Sequence, residues 1–183
     1  MMNFFVTSDS SKTGNLGGLA KADQRCQTLA AAVGAGSKTW KAYLSTEEPL
    51  VNARDRIGTG PYYNAKGVEI AADKDALHAR SGNAELFLDE KGNRINGQWK
   101  GSPTPNQHDI LTGTNEKGML VAGQTCDDWT GTSGMSAVGH SDGLGPSMNA
   151  ESPYSRWVGS HTGKCDDTEP GGGAGKIYCF VGP

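Results

Sequence analysis

The chain has 183 residues, including 27 glycines, eight prolines and four cysteines, and its formal charge is -3. This length fits one domain over residues 1–183, and the glycine content favours a loop-rich globular domain over a helical bundle. The lysines and arginines are scattered singly, without the positive stripe that follows a phosphate backbone, so nucleic acid is excluded as a partner. No apolar run approaches the roughly 20 residues that cross a bilayer, so we expect no transmembrane segment.

The first third of the chain predicts four regular elements. Residues 4–7 are predicted to form a short strand. Between Leu19 and Val33 the apolar residues recur at three-and-four spacing, which predicts an amphipathic helix with Cys26 on its inward face. Residues 40–44 alternate and are rich in aromatics, which is typical of a strand with one buried face. A second, short helix is predicted over residues 50–57, ended by the glycines and proline that follow.

Regular structure becomes sparse further along the chain. Residues 62–72 and 85–88 are predicted to form short strands, with turns at Lys66-Gly67 and Lys91-Gly92. Beyond Asn96 turn formers dominate, and residues 96–176 are predicted to be a long loop region. Long loops inside compact domains are usually functional, so we expect the site in this region.

The four cysteines indicate disulfides. No two of them form a Cys-x-x-Cys unit, which disfavours a compact zinc site or a thioredoxin-type redox pair. Four cysteines can form disulfides in three different pairings, and the sequence leaves all three open. Disulfides persist in oxidising compartments, although residues 1–6 lack the features of a secretion signal. We therefore expect an extracellular or cell-surface protein whose export signal is absent from this sequence.

Several segments together resemble a known family. They are Phe5-Val6-Thr7-Ser8, residues 14–23 with Cys26, residues 40–45, Cys126-Asp127-Asp128-Trp129 and Ile177-Tyr178-Cys179-Phe180. These segments resemble the C-type-lectin-like fold, and more closely its bacterial endostatin-like, lectin-like domains. The resemblance implies an α+β fold with two helices, a short twisted antiparallel sheet and a long loop region. It also implies two nested disulfides, Cys26 with Cys179 and Cys126 with Cys165.

The same resemblance implies a secreted or surface-attached protein that binds glycans or host matrix and serum proteins. The Glu-Pro-Asn and Trp-Asn-Asp triplets of calcium-dependent sugar binders are absent, and only Glu169-Pro170-Gly171 and Asp127-Asp128-Trp129 are faintly similar to them. Calcium-mediated sugar binding is therefore not expected. Endostatin proper uses arginine clusters for heparin, and this chain has none, so heparin affinity is not expected either.

Three of the four histidines lie in the loop region beside carboxylates. Imidazole and carboxylate groups are ligands of divalent metals, so His108, Asp109, His140 and His161 are a candidate site for a divalent metal, calcium or zinc. No local ligand spacing supports this site, and unremarkable exposed histidines are the alternative. His78 is left out because it lies in a charged run that is predicted to be helical.

Two further motifs have structural alternatives. Asp166 and Asp167, with Glu169, offer oxygen ligands for calcium, but acidic residues are equally common in solvated turns. Residues 139–143 match the Gly-x-Ser-x-Gly motif of hydrolases, although the strand before it and the helix after it are missing. Ser141 is therefore predicted to lie in a glycine-rich loop and not to act as a nucleophile.

Trp40 is predicted to lie in the core, whereas Trp129 and Trp157 stand between polar and glycine residues. These two are predicted to fill the core under the loops, and sugar stacking is the alternative. The candidate ligand-binding residues are Trp129, His140, Asp142, Trp157, His161, Asp166 and Asp167.

The functional hypothesis is a non-catalytic binding module, secreted or surface-displayed, that recognises a glycan or an extracellular protein through residues 96–176. Two alternatives remain open. One is a metal-dependent secreted enzyme that uses His108, His140 and His161 with Asp109 or Asp142. The other is a homo-oligomeric, trimerising cap of a fibre.

Overall fold

The structure is a computed structural model that describes all of residues 1–183, and it is mixed α+β. Its strands are β1 (Phe4–Val6), β2 (Trp40–Ala42), β3 (Tyr62–Tyr63), β4 (Glu69–Ala71), β5 (Asp109–Leu111), β6 (Met135–His140), β7 (His161–Lys164) and β8 (Gly173–Val181). Its helices are α1 (Leu19–Ala32), α2 (Lys74–Ala79) and α3 (Cys126–Trp129). None of these helices is long and apolar enough to span a bilayer.

The main sheet is organised around β8. Its strand order is β1-β8-β5-β6-β7, and β2 also pairs with β8, while β3 and β4 form a separate hairpin. The expected antiparallel sheet is correct except for the β5–β8 pair, which is parallel. A parallel pair needs a long crossover, and residues 112–172 supply it.

Helix α1 confirms the amphipathic prediction. Its buried residues are Ala22, Cys26 and Ala30, and they face strands β2 and β8. Small side chains on this face let the helix approach the sheet closely. The Cys26–Cys179 disulfide joins the helix to β8 across this contact.

Other local predictions need correction. The predicted helix at residues 50–57 is a 3-10 turn, Ala53–Arg56. The structure instead has α1, α2 in the run around His78 that was predicted to be helical, and α3, which was not predicted. Residues 85–88 do not form a strand, because the Leu86 and Phe87 amides both donate to the Asn83 carbonyl and close a turn. The predicted hairpin around Lys66-Gly67 is confirmed as β3 and β4.

The predicted long loop at residues 96–176 contains three strands, β5, β6 and β7. β5 has only three residues, and β6 and β7 each contain a histidine and a glycine, so the apolar alternation that identifies strands is weak in them. The pairing of β5, β6 and β7 could therefore not be predicted from the sequence pattern. This pairing brings the candidate site residues together.

Helix α3 is a single turn of left-handed backbone. All four of its residues have positive φ, between 49° for Cys126 and 69° for Trp129, a conformation that costs roughly 1–2 kcal/mol per residue. Three anchors hold it: the Cys126–Cys165 disulfide, the buried Trp129 side chain, and the Asp128 carboxylate, which accepts the amides of Glu47 and Glu48. The Asp127-Asp128-Trp129 segment is thus part of the framework.

Both tryptophans of the loop region are in the core. Trp129 and Trp157 are 0% and 1% exposed, and their indole N–H groups donate to the carbonyls of Ser45 and Leu77. Sugar stacking requires an accessible ring face, so these two residues are removed from the candidate ligand-binding set.

Candidate functional site

The histidine cluster is built by the register of three neighbouring strands. Asp109 begins β5 and lies directly opposite His140 at the end of β6. His161 begins β7, opposite Val138 on the other side of β6, and His108 immediately precedes β5. The ends of the three strands therefore bring together all four residues of the candidate metal site.

The three histidines converge on one carboxylate oxygen. Asp109 Oδ1 lies 3.3 Å from His108 Nε2, 3.2 Å from His140 Nε2 and 3.2 Å from His161 Nε2. His108, Asp109 and His140 each offer one ligand atom, and these three atoms lie within 4.8 Å of one another. His161 lies outside this group and is connected to it by its contact with Asp109. The arrangement places three nitrogen donors around one oxygen donor.

The opposite nitrogen of each ring faces an oxygen that accepts a hydrogen bond. His108 Nδ1 lies 2.7 Å from Asp142 Oδ1, His140 Nδ1 lies 2.9 Å from the Tyr154 carbonyl, and His161 Nδ1 lies 3.0 Å from the Thr162 carbonyl. The Asp109 carboxylate oxygen on the Nε2 side also only accepts, so both nitrogens of each ring face acceptors. A neutral ring can donate to only one of them, and its other nitrogen then directs a lone pair at an oxygen.

Lone pairs directed at a carboxylate repel it unless a positive charge lies between them. Burial alone would raise the pKa of Asp109, but its contacts with His140 and His161, and the nearby charge of His108, hold that pKa at about 2. The same contact with Asp109 raises the pKa of His161 in spite of its partial burial. The cluster is thus built around an anionic carboxylate that requires a cation or protons beside it.

The distances from Asp109 Oδ1 to the three Nε2 atoms are compatible with a zinc site. Tetrahedral zinc with bonds of about 2.0–2.1 Å places its ligand atoms about 3.3 Å apart, close to the separation between Asp109 Oδ1 and each Nε2. His161 is not among the three residues whose ligand atoms all lie within 4.8 Å of one another, so it would have to move toward His108 and His140 to complete a tetrahedral site. The rings of His108 and His140 are stacked, with centroids 4.1 Å apart and planes 13° apart. These two stacked rings would have to tilt for His108 and His140 to hold one metal together.

The chemistry of the donors selects among the expected metals. Calcium takes six to eight oxygen ligands, whereas this cluster offers three imidazoles and one carboxylate. Imidazole nitrogen with a carboxylate oxygen suits zinc and similar transition metals. The donors therefore fit zinc and not calcium.

Asp142 orients His108 and is itself held in place. Its Oδ1 also accepts the Leu144 amide, and its Oδ2 accepts the Gln98 amide at 2.6 Å. A side chain on Gly97 would collide with the Asp142 carboxylate, so glycine at this position makes room for it. A carboxylate that fixes the far nitrogen of a metal-binding histidine is the usual support of such ligands.

A cavity of about 590 Å³ lies against the cluster. Asp109 and His161 line it, together with Asp166, Asp167 and Thr168. His108 and His140 are 4% and 3% exposed, whereas the His161 side chain is 39% exposed. The cluster is thus accessible from the cavity side, past His161.

The acidic pair of the candidate calcium site forms a local turn. Asp166 Oδ1 accepts the Asp167 amide, and Asp167 Oδ1 accepts the Glu169 amide. These carboxylates form no converging group of metal donors, so the solvated-turn interpretation describes their geometry. Their contribution to the site is negative charge on the cavity wall.

Two other polar residues lie outside the cluster. Ser141 Oγ is buried and is the only buried side-chain polar atom without a hydrogen-bond partner, so no histidine is placed to activate it as a nucleophile. His78 bonds to the Tyr43 hydroxyl at 2.7 Å and to the Lys74 carbonyl, and burial lowers its pKa. His78 is thus a partly buried histidine bonded to a core tyrosine, outside the candidate site.

Sequence reasoning missed the groups that orient the rings. The carbonyls of Tyr154 and Thr162 bond to His140 and His161, and a backbone carbonyl has no signature in a sequence. Lys164 and Met135 line the cavity and were likewise not singled out. Asp142 was predicted as a ligand-binding residue and as a possible partner of the histidines in a metal-dependent enzyme, but its hydrogen bond to His108 is seen only in the structure.

Comparison with known proteins does not assign the chain to a family. No protein-family model matches the chain, and a search of curated proteins finds no match.

Proposed function

We propose that this chain is an extracellular, lectin-like binding module whose recognition site contains one divalent transition metal, with zinc as the favoured ion. The observation that carries the proposal is the convergence of three Nε2 atoms on Asp109 Oδ1, each ring being fixed by an acceptor at Nδ1. His108, Asp109 and His140 would hold the metal, and His161 would complete the coordination.

Two observations support the extracellular, lectin-like part of the proposal. Two buried disulfides are typical of oxidising compartments. They have the nested pairing that the resemblance implies, and the first and last strands pair with each other, as Phe5 with Cys179. Within this frame the glycan or extracellular protein ligand would bind over the β5, β6 and β7 ends.

A metal-dependent enzyme is the second candidate, and the cavity beside Asp109 and His161 favours it, because catalytic zinc sites keep one position open to substrate. The binding module is preferred because Ser141, the serine of the Gly-x-Ser-x-Gly match, has no hydrogen-bond partner that could activate it as a nucleophile. Metal-dependent hydrolysis by the loaded protein, lost in His140→Ala, would favour the enzyme.

The proposal is tested by zinc binding to protein stripped with a chelator. We expect one equivalent of zinc per chain by equilibrium dialysis, and no binding at the same zinc concentration in His108→Ala or His140→Ala. Asp142→Asn should retain the stoichiometry with an affinity about 10- to 100-fold weaker, because the partner of His108 is altered.

Ser141→Ala is the matched control, since Ser141 lies between His140 and Asp142 in the chain and its hydroxyl has no partner. This variant should bind zinc as the unaltered protein does. Failure of the unaltered protein to retain zinc after dialysis, or equal binding by His140→Ala, would contradict the proposal.

A further inference from the structure

The three histidines of the cluster differ in how firmly they are held. The side chains of His108 and His140 are 5% and 3% exposed, and their Nδ1 atoms bond to Asp142 and to the Tyr154 carbonyl, both distant in the chain. His161 is 39% exposed, and its Nδ1 partner is the carbonyl of the next residue. At Nδ1, two histidines are therefore held by tertiary contacts and His161 only by a local one, although all three Nε2 atoms contact Asp109.

The strand that carries His161 is also the least covered strand of the sheet. β7 pairs with β6 on one side only, and three of its four residues are exposed. Rotation of His161 away from Asp109 into the cavity or solvent would break its 3.2 Å contact with the Asp109 carboxylate and its edge contact with the His140 ring, but no contact from Nδ1 to a distant residue. By contrast, a comparable movement of His140 would break the packing of a buried strand end.

The cavity supplies a route to the position that His161 would vacate. His161 and Asp109 line it, and its volume of about 590 Å³ is within the range of small-ligand sites. Its other charged residues are Asp166, Asp167 and Lys164, so negative charge predominates on its wall. A purely anionic ligand is repelled there, whereas a ligand with positive charge is attracted.

Building on the proposed metal site, we infer that His161 is an exchangeable fourth ligand, and that its position accepts an imidazole carried by a basic peptide segment of an extracellular protein. In the exchange, the bond between the metal and His161 Nε2 breaks and a bond to the incoming neutral imidazole nitrogen forms. The charge and the donor type at the metal are unchanged, and no oxidant or proton donor is needed. Positive charge beside the incoming imidazole pairs with Asp166 and Asp167.

The test uses the full chain loaded with cobalt(II), whose visible absorption reports the ligands of a tetrahedral site. The probes are two acetylated and amidated peptides, Gly-His-Gly-Lys and Gly-His-Gly-Glu, which lack a free amino terminus that would chelate cobalt. Both peptides should shift the spectrum, and the lysine peptide should bind about fivefold more tightly because of the acidic cavity wall.

Two variants test the exchange at the His161 position and the charge preference of the cavity wall separately. His161→Ala should still take up cobalt and should bind both peptides about tenfold or more tightly, because the competing internal imidazole is gone. The double variant Asp166→Asn and Asp167→Asn keeps the acceptors of the local turn and should lose the preference for the lysine peptide.

Different results would contradict the metal site and the exchange of His161. If the unaltered protein takes up no cobalt, the metal centre itself is wrong, and the inference falls with it. If cobalt binds but neither peptide changes the spectrum of the unaltered protein or of His161→Ala, the metal site stands and the exchangeable position is overturned. Loss of cobalt binding in His161→Ala would also overturn it, because His161 would then be an obligatory ligand.

Discussion

Zinc should raise the free energy of unfolding by about 2.7 kcal/mol when its free concentration is one hundred times the dissociation constant. The physical reason is that the four donors come from His108, the start of β5, the end of β6 and the start of β7, which meet only in the folded chain. A metal that bridges them binds the native state and not the unfolded one. Urea denaturation of chelator-treated protein, with and without zinc, measures this increment.

Two variants test whether the increase in the free energy of unfolding comes from zinc bound at the cluster. His140→Ala should abolish it, because one of the two buried imidazole ligands is removed. His78→Gln should lower the stability of the protein in both conditions, because His78 bonds to Tyr43 in the core, but it should leave the zinc increment unchanged. An equal increment in His140→Ala would show that zinc acts at another place on the chain.

Removal of the Cys26–Cys179 disulfide should have the largest effect on stability. The bond closes a loop with a sequence separation of 153, for which the chain-entropy relation gives a loss of about 5 kcal/mol. Removal of Cys126–Cys165, with a separation of 39, should cost about 4 kcal/mol on the same basis. The free energy of unfolding of a domain is typically about 5–15 kcal/mol, so loss of the Cys26–Cys179 disulfide alone would remove a large part of it.

The measurement is urea denaturation of the paired variants Cys26→Ala with Cys179→Ala, and Cys126→Ala with Cys165→Ala. All four cysteines are buried, so both pairs lose side chains from similar surroundings, and the comparison isolates the loop that each bond closes. We expect the first pair to have the lower midpoint. A lower midpoint for the second pair would indicate that release of the left-handed α3 turn outweighs loop closure.

The sequence was most informative where local pattern and burial agree. The spacing of Ala22, Cys26 and Ala30 predicted α1 and its inward face, and the aromatic alternation around Trp40 predicted β2. The resemblance implied both disulfides in the pairing that the structure contains. These features depend on short segments or on a fixed family pattern.

The sequence predicted which residues could bind a metal, but not that they lie together. The residue types at His108, Asp109, His140 and His161 suggested metal ligands, but their convergence depends on the register that places Asp109 opposite His140 and His161 opposite Val138. Register between strands so far apart in the chain leaves no local signal. The left-handed turn at α3 was equally hidden, because tertiary anchors hold a backbone conformation that its residues do not prefer.

The most direct test of the metal centre is zinc-edge X-ray absorption of the protein with one equivalent of zinc bound. The proposed centre predicts a first shell of three imidazole nitrogens and one carboxylate oxygen at about 2.0–2.1 Å, with the outer-shell scattering of imidazole rings. In His140→Ala the shell of any zinc that remains should contain one imidazole fewer. A first shell composed of oxygen alone, without imidazole scattering, would contradict the account.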